Sequence, residues 1–102
     1  MWQAIEREIG AATGAPFRVR DSTAIGGGCI NDAVRLRDGK RTFFVKFNQA
    51  ERLPMFEAEA AGLTAIRDSG TVRAPEPVAW GVDGERSWLA LEFIELRLSL
   101  IH

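Results

Sequence analysis

The hydrophobic positions near the N-terminus follow helical spacing. Trp2, Ile5 and Ile9 recur at intervals of three and four residues, and charged residues occupy the positions between them. This pattern predicts a short amphipathic helix over residues 2–12, ended by Gly14 and Pro16.

Farther along the chain, apolar and polar positions alternate over short segments, which is typical of strands with one buried face. The predicted strands cover residues 17–25, 30–37, 42–47, 78–82 and 87–94. Asp38-Gly39 and Asp83-Gly84 are hairpin turn signals, so neighbouring strands are expected to pair antiparallel.

A second helix is predicted between the third and fourth strands. It begins at Pro54, which suits a first helical turn, and helical spacing continues to Asp68 before Ser69-Gly70 stops it. Pro75 and Pro77 then form a stiff, extended connector. The predicted class is α+β, with a five-stranded antiparallel sheet, one packed helix and the short N-terminal helix.

Three glycines, Gly26-Gly27-Gly28, lie between the first two predicted strands. In Rossmann and Walker-type sites such a loop opens a helix, but here a strand follows, and neither Gly-Lys-Ser nor Gly-Lys-Thr is present. The arrangement favours a kinase-like site, in which glycine lets backbone N–H groups approach phosphates. A small structural domain that uses these glycines only as turns is the alternative.

Lys46 lies at the end of an apolar strand, where its charge needs an anion or a carboxylate if it is half-buried. Phe43, Val45 and Phe47 should point to one face of the sheet, and Phe44 and Lys46 to the other. On the second helix, Glu59 shares an apolar stripe with Phe56, Leu63 and Ile66, whereas Glu57 lies on a more polar stripe. Lys46 is therefore expected to pair with Glu59.

Composition narrows the classes of partner. The 102 residues carry a net charge of -1 with scattered basic residues, so a nucleic-acid partner is not expected. No apolar run is long enough to span a bilayer, so no membrane partner is expected either. The single cysteine excludes an internal disulfide and a Cys-cluster metal site, which fits a reducing cytoplasm.

The motifs together resemble the fructosamine kinase (ketosamine-3-kinase) family, in the same order along the chain. The matching segments are Gly26-Gly27-Gly28-Cys29-Ile30-Asn31, Phe43-Phe44-Val45-Lys46-Phe47-Asn48, Met55-Phe56-Glu57-Ala58-Glu59-Ala60, Val72-Arg73-Ala74-Pro75-Glu76-Pro77 and Leu91-Glu92-Phe93-Ile94-Glu95-Leu96. This resemblance implies a protein-kinase-like N-terminal lobe over residues 1–96. It also implies ATP-dependent phosphorylation of the 3-hydroxyl of a ketosamine, which is a step of deglycation repair.

The resemblance also implies which residues bind ATP. They are Gly26, Gly27, Gly28, Cys29, Ile30, Lys46, Glu59, Leu91, Glu92 and Ile94. In this site the glycine segment covers the phosphates, Lys46 contacts them and Glu59 holds Lys46. Leu91 lines the adenine pocket, and the backbone of Glu92 and Ile94 hydrogen-bonds adenine.

In the family, a larger C-terminal lobe carries the His-Gly-Asp catalytic loop and the ligands of Mg²⁺, and residues 97–102 match none of it. The 102 residues are therefore expected to hold no catalytic or metal-binding residue and to be inactive alone. The ketosamine would be the substrate of the full-length parent. The alternative function is a non-catalytic interaction module that associates with itself.

Two features could support such a homodimer. Cys29 lies in the glycine loop, where backbone amides could lower its pKa and permit redox chemistry, although a small residue that merely fits the loop is equally expected. The end of the chain is apolar, and if exposed it favours self-association. Its apolar residues are Phe93, Ile94, Leu96, Leu98, Leu100 and Ile101.

Overall fold

Two helices lie on opposite faces of one five-stranded antiparallel sheet. The structure is a computed structural model that describes residues 2–25, 32–70 and 74–92. Its elements are α1 (Gln3–Thr13), β1 (Asp21–Ile25), β2 (Asp32–Arg37), β3 (Thr42–Gln49), a 3-10 turn (Ala50–Arg52), α2 (Leu53–Ser69), β4 (Pro77–Asp83) and β5 (Arg86–Glu92). The strand order is β1-β2-β3-β5-β4, with every neighbouring pair antiparallel. The predicted class, strand number and order of elements are confirmed.

The N-terminal helix forms where its spacing predicts. Ile5 and Ile9 are buried against the sheet. Gly14 ends α1 with a φ of 79°, and its N–H donates to the Gly10 carbonyl at 2.9 Å. A left-handed residue at this position suits glycine, which has no Cβ to oppose the conformation.

The first strand is shorter than predicted, because it begins at Asp21 and not at residue 17. Phe17 is buried in the core although it lies outside the strand. The N–H of Val19 donates to Glu6 Oε2 at 2.8 Å, so a side chain of α1 takes the place of a strand partner. The apolar residues of this segment therefore reflect burial under the helix and not ladder pairing.

The β2–β3 turn is connected to the end of α1 through Arg41. Its guanidinium donates to Thr13 Oγ1 at 2.9 Å and to the carbonyls of Ala15 and Pro16 at 3.1 and 2.8 Å. Asp38 Oδ1 accepts the N–H groups of Lys40 and Arg41 at 2.8 and 2.7 Å, which fixes the turn itself. The hydrogen bond from the Arg41 N–H is the main cause that lowers the pKa of the Asp38 carboxyl below 3.8.

Alternation along β3 divides the core into two clusters, as predicted. Phe43, Val45 and Phe47 are buried on the face that α1 covers. The second cluster lies on the other face, under α2, and consists of Phe56, Ala60, Leu89 and Leu91, with Phe44 and Leu63 packed against it. The second face also carries Lys46.

The second helix spans Leu53–Ser69, one residue more at each end than predicted, with proline in its first turn and Gly70 at its C-terminal cap. The segment before it is not a simple loop, because β3 continues to Gln49 and a 3-10 turn follows. Ile66 was expected on the packed stripe, but 43 % of it is exposed. The packed face passes instead through Phe56, Ala60 and Leu63.

Candidate functional site

The site lies on the α2 face of the sheet, where strand register lines up residues of neighbouring strands. In one row, Lys46 of β3 lies between Ala33 of β2 and Leu89 of β5. In the next row, Phe44 lies between Arg35 and Leu91. Side chains on one face of adjacent strands are near neighbours, so these rows define one continuous surface.

Lys46 and Glu59 form an ion pair across this surface. Lys46 Nζ donates to Glu59 Oε2 at 2.6 Å, and the side chains are 24 % and 31 % exposed. Two oppositely charged groups at this distance form a charge-assisted hydrogen bond. The predicted pairing is therefore confirmed.

The main effect of this ion pair is to orient the Lys46 side chain. A partly exposed ion pair contributes at most about 1 kcal/mol to folding. The lysine ammonium, however, is held at a defined point by Glu59, and the lysine side chain remains partly exposed. A partly exposed, fixed cation is suited to binding an anion.

Helix geometry explains why Glu59 and not Glu57 is the partner. Glu59 precedes Ala60 and lies four residues before Leu63, and both of these residues pack on the sheet. Residues three and four apart on a helix share a face. Glu57 is exposed, as predicted.

Leu91 and Glu92 lie at the end of β5, on the strand next to Lys46. Leu91 is 5 % exposed and packs with Phe56, Ala60 and Leu89. The N–H of Glu92 donates to the Glu76 carbonyl at 2.9 Å, and the Glu92 side chain is exposed. Leu91 thus shares the face of Lys46, and the backbone of Glu92 is held by the neighbouring chain segment.

Several predicted site residues lie outside the described residues. These are Gly26, Gly27, Gly28, Cys29, Ile30 and Ile94. The redox hypothesis for Cys29 and the dimerisation hypothesis for the apolar segment 93–102 therefore stay predictions.

Two residues of this region were not assigned a role from the sequence. Phe44 is a half-buried aromatic residue two positions before Lys46, on the same face. The alternation along β3 could have identified Phe44, because it places Phe44 and Lys46 on the same face of the sheet. Arg67 of α2 donates through Nη1 to the Ala74 carbonyl at 2.8 Å. No sequence signal identifies that contact, since its acceptor is backbone.

Within the part of the chain that the structure describes, no three metal-ligating side chains come together. In the same residues, no helix is both long enough and apolar enough to cross a membrane.

The fold is kinase-like. Spectinomycin phosphotransferase, in complex with ADP and spectinomycin, has a similar fold, with a TM-score of 0.60 and 16 % identity over 91 % of this chain and 29 % of that one. A candidate fructosamine-3-kinase from Haemophilus somnus 129PT is more similar, with a TM-score of 0.87 and 26 % identity over 93 % of this chain and 32 % of that one.

The sequence profile of the fructosamine kinase family matches residues 1–101, and the chain belongs to this family. The probable ketoamine kinase of Synechocystis sp. is 44 % identical over 94 residues, which are 92 % of this chain and 32 % of that protein. The chain therefore spans about a third of the length of this relative.

Proposed function

We propose that this chain is the ATP-binding part of a ketosamine-3-kinase, which transfers a phosphoryl group from ATP to the 3-hydroxyl of a sugar–amine adduct. Membership of the fructosamine kinase family supports the substrate class. The observation that carries the nucleotide assignment is the 2.6 Å contact between Lys46 and Glu59, because kinase sites use such a glutamate-held lysine to neutralise phosphate charge.

Lys46 contacts the phosphates in this proposal, and Glu59 orients it. The lysine has three N–H donors, of which the carboxylate of Glu59 takes one in the structure. The other donors are available to phosphate oxygens. The segment Gly26–Ile30, which follows β1 in the sequence, would cover the phosphates, as the family resemblance implies.

The adenine ring binds along the row that contains Phe44 and Leu91. Phe44 offers an aromatic face on the side of Lys46, and stacking on such a face suits any purine. Leu91 closes the apolar back of this pocket, because it is buried against α2. The carbonyl of Glu92 and the N–H of Ile94 hydrogen-bond the edge of the base.

The remaining chemistry belongs to the rest of a full-length protein. Mg²⁺ would neutralise the phosphates, and its ligands would come from that portion, together with the base that activates the sugar hydroxyl. The residues of this chain bind and orient the donor nucleotide. The proposed cellular location of the full-length protein is the cytoplasm.

Titration of the 102-residue chain with ATP, by calorimetry, tests the proposal. Lys46→Ala should weaken binding by about tenfold or more, because one charge-assisted contact to phosphate is lost. Lys40→Ala is the matched control, since Lys40 is an exposed lysine in the β2–β3 turn and only its backbone bonds Asp38. Equal affinities of Lys46→Ala and the unmodified chain would refute this site.

A further inference from the structure

The side chain of Arg67 connects the C-terminal end of α2 to the segment that leads into β4. Arg67 Nη1 donates to the Ala74 carbonyl at 2.8 Å, and Nη2 lies 3.6 Å from Glu76 Oε1. Ala74 is buried and Arg67 is partly exposed, so the first contact is part-buried. Arg67 therefore holds this segment at two points.

The same segment also holds the end of β5. The Glu76 carbonyl accepts the N–H of Glu92 at 2.9 Å. Two of the neighbouring residues, Pro75 and Pro77, have no backbone N–H to donate, so the position of this segment depends strongly on bonds to its carbonyls. A chain of contacts thus runs from Arg67 through residues 74–76 to Glu92.

We infer that Arg67 is a positioning residue for the adenine pocket, which acts by fixing the backbone of Glu92. This inference rests on the proposed function, in which the Glu92 carbonyl hydrogen-bonds the base. Glu59 and Arg67 are eight positions apart (59 to 67) on α2, which places them about 12 Å apart along its axis at 1.5 Å per residue. One rigid helix therefore orients the phosphate-binding lysine at one point and the base-binding backbone at another.

A purely structural role for Arg67 makes a different prediction from a positioning role. Loss of a purely structural contact would weaken the binding of every ligand on this face to the same extent. Loss of a positioning contact would weaken only ligands that carry the base, because Lys46 is held by Glu59 and not by Arg67. Inorganic tripolyphosphate is the suitable probe, since it carries the phosphates alone.

The experiment compares the 102-residue chain with Arg67→Ala, Arg67→Lys and the control Arg7→Ala, which alters an exposed arginine of α1. Arg67→Ala should bind ATP about tenfold more weakly and tripolyphosphate with unchanged affinity, the size expected for one lost charge-assisted bond. Arg67→Lys should restore part of the ATP affinity, because the ammonium can still donate to the Ala74 carbonyl. The control should bind both ligands normally.

Amide hydrogen exchange without any ligand gives an independent measurement. The Glu92 amide should exchange faster in Arg67→Ala, whereas the Val19 amide, bonded to Glu6, should keep its rate. An unchanged rate at Glu92 would overturn the inference, and so would an equal loss of affinity for ATP and tripolyphosphate. If the unmodified chain bound neither ligand, the proposed function itself would fail and the inference with it.

Discussion

Glu59 Oε2 accepts a hydrogen bond from Lys46 Nζ at 2.6 Å, across the boundary between α2 and β3. The contact joins the helix to the middle strand of the sheet, so the position of the lysine ammonium depends on the position of α2.

The contribution of Glu59 can be separated from that of helix charge in general. Glu59→Gln should weaken ATP binding by about tenfold, because the amide orients the lysine less strongly than a carboxylate does. It should change the free energy of unfolding by less than about 1 kcal/mol, since the pair is partly exposed. Glu57→Gln removes the same charge from the exposed face of the helix and should change neither quantity. Calorimetry and urea unfolding measure the two effects, and similar binding losses in both variants would contradict the assignment.

Phe44 should discriminate ligands by their base. Phe44→Leu keeps an apolar side chain against Leu91 and α2 but removes the ring, so ATP affinity should fall about tenfold through lost stacking. Affinity for tripolyphosphate should stay the same. An equal loss for both ligands would show that the substitution disturbs the sheet and does not report on the adenine pocket.

Core and edge positions of the sheet should differ strongly in their effect on stability. Leu36→Ala should lower the free energy of unfolding by about 3 kcal/mol, because Leu36 is fully buried under α1 and truncation leaves a cavity. Val82→Ala should change it by less than about 0.5 kcal/mol, because Val82 is 48 % exposed on the edge strand β4. Urea denaturation measures both, and a small effect of Leu36→Ala would mean that this face is not the main core.

The β2–β3 turn should make stability depend on pH in the acidic range. The folded state lowers the pKa of Asp38 below 3.8, chiefly through the Arg41 N–H, so folding favours the ionised carboxylate. This contribution is complete above the unfolded pKa of 3.8 and is lost as the pH falls through the lower folded value. Asp38→Asn keeps an acceptor oxygen but lacks the charge. It should be less stable than the unmodified chain at about pH 6, and the difference should shrink as the pH falls below 3.8. A pH-independent difference in urea unfolding would contradict this account.

Much of the fold could be predicted from local patterns, because most of these patterns are compatible with only one type of element. The alternation of β3 determines which residues face α1, and the Asp-Gly turns determine both hairpins. The segment 17–20 was mispredicted because burial alone produces the same apolar spacing as a strand, and the partner of Val19 is a side chain of α1. Ile66 was mispredicted because the stripe of α2 leaves the sheet before the helix ends.

The ion pair was predictable, but the contacts around the pocket were not. Lys46 and Glu59 carry charges whose burial demands a partner, so strand and helix periodicities together identified them. Arg67 donates to the Ala74 carbonyl, a group that every residue possesses, and its second partner is the exposed carboxylate of Glu76. Nothing in the sequence marks either residue as its partner. Such contacts depend on how residues 74–76 pack against the end of α2, which is a property of the tertiary structure.

Successive residues of β3 lie on opposite faces of the sheet. Val45 is in the apolar cluster under α1, and Lys46 is on the other face, beside α2. Deleting one residue from this strand would exchange the two faces for every position beyond the deletion. The Lys46 ammonium would then lie in the apolar cluster under α1, and an apolar side chain would take its place beside the Glu59 carboxylate. A slipped register of β3 is therefore disfavoured, because any pairing that moves Lys46 away from Glu59 also destroys the interior of the domain.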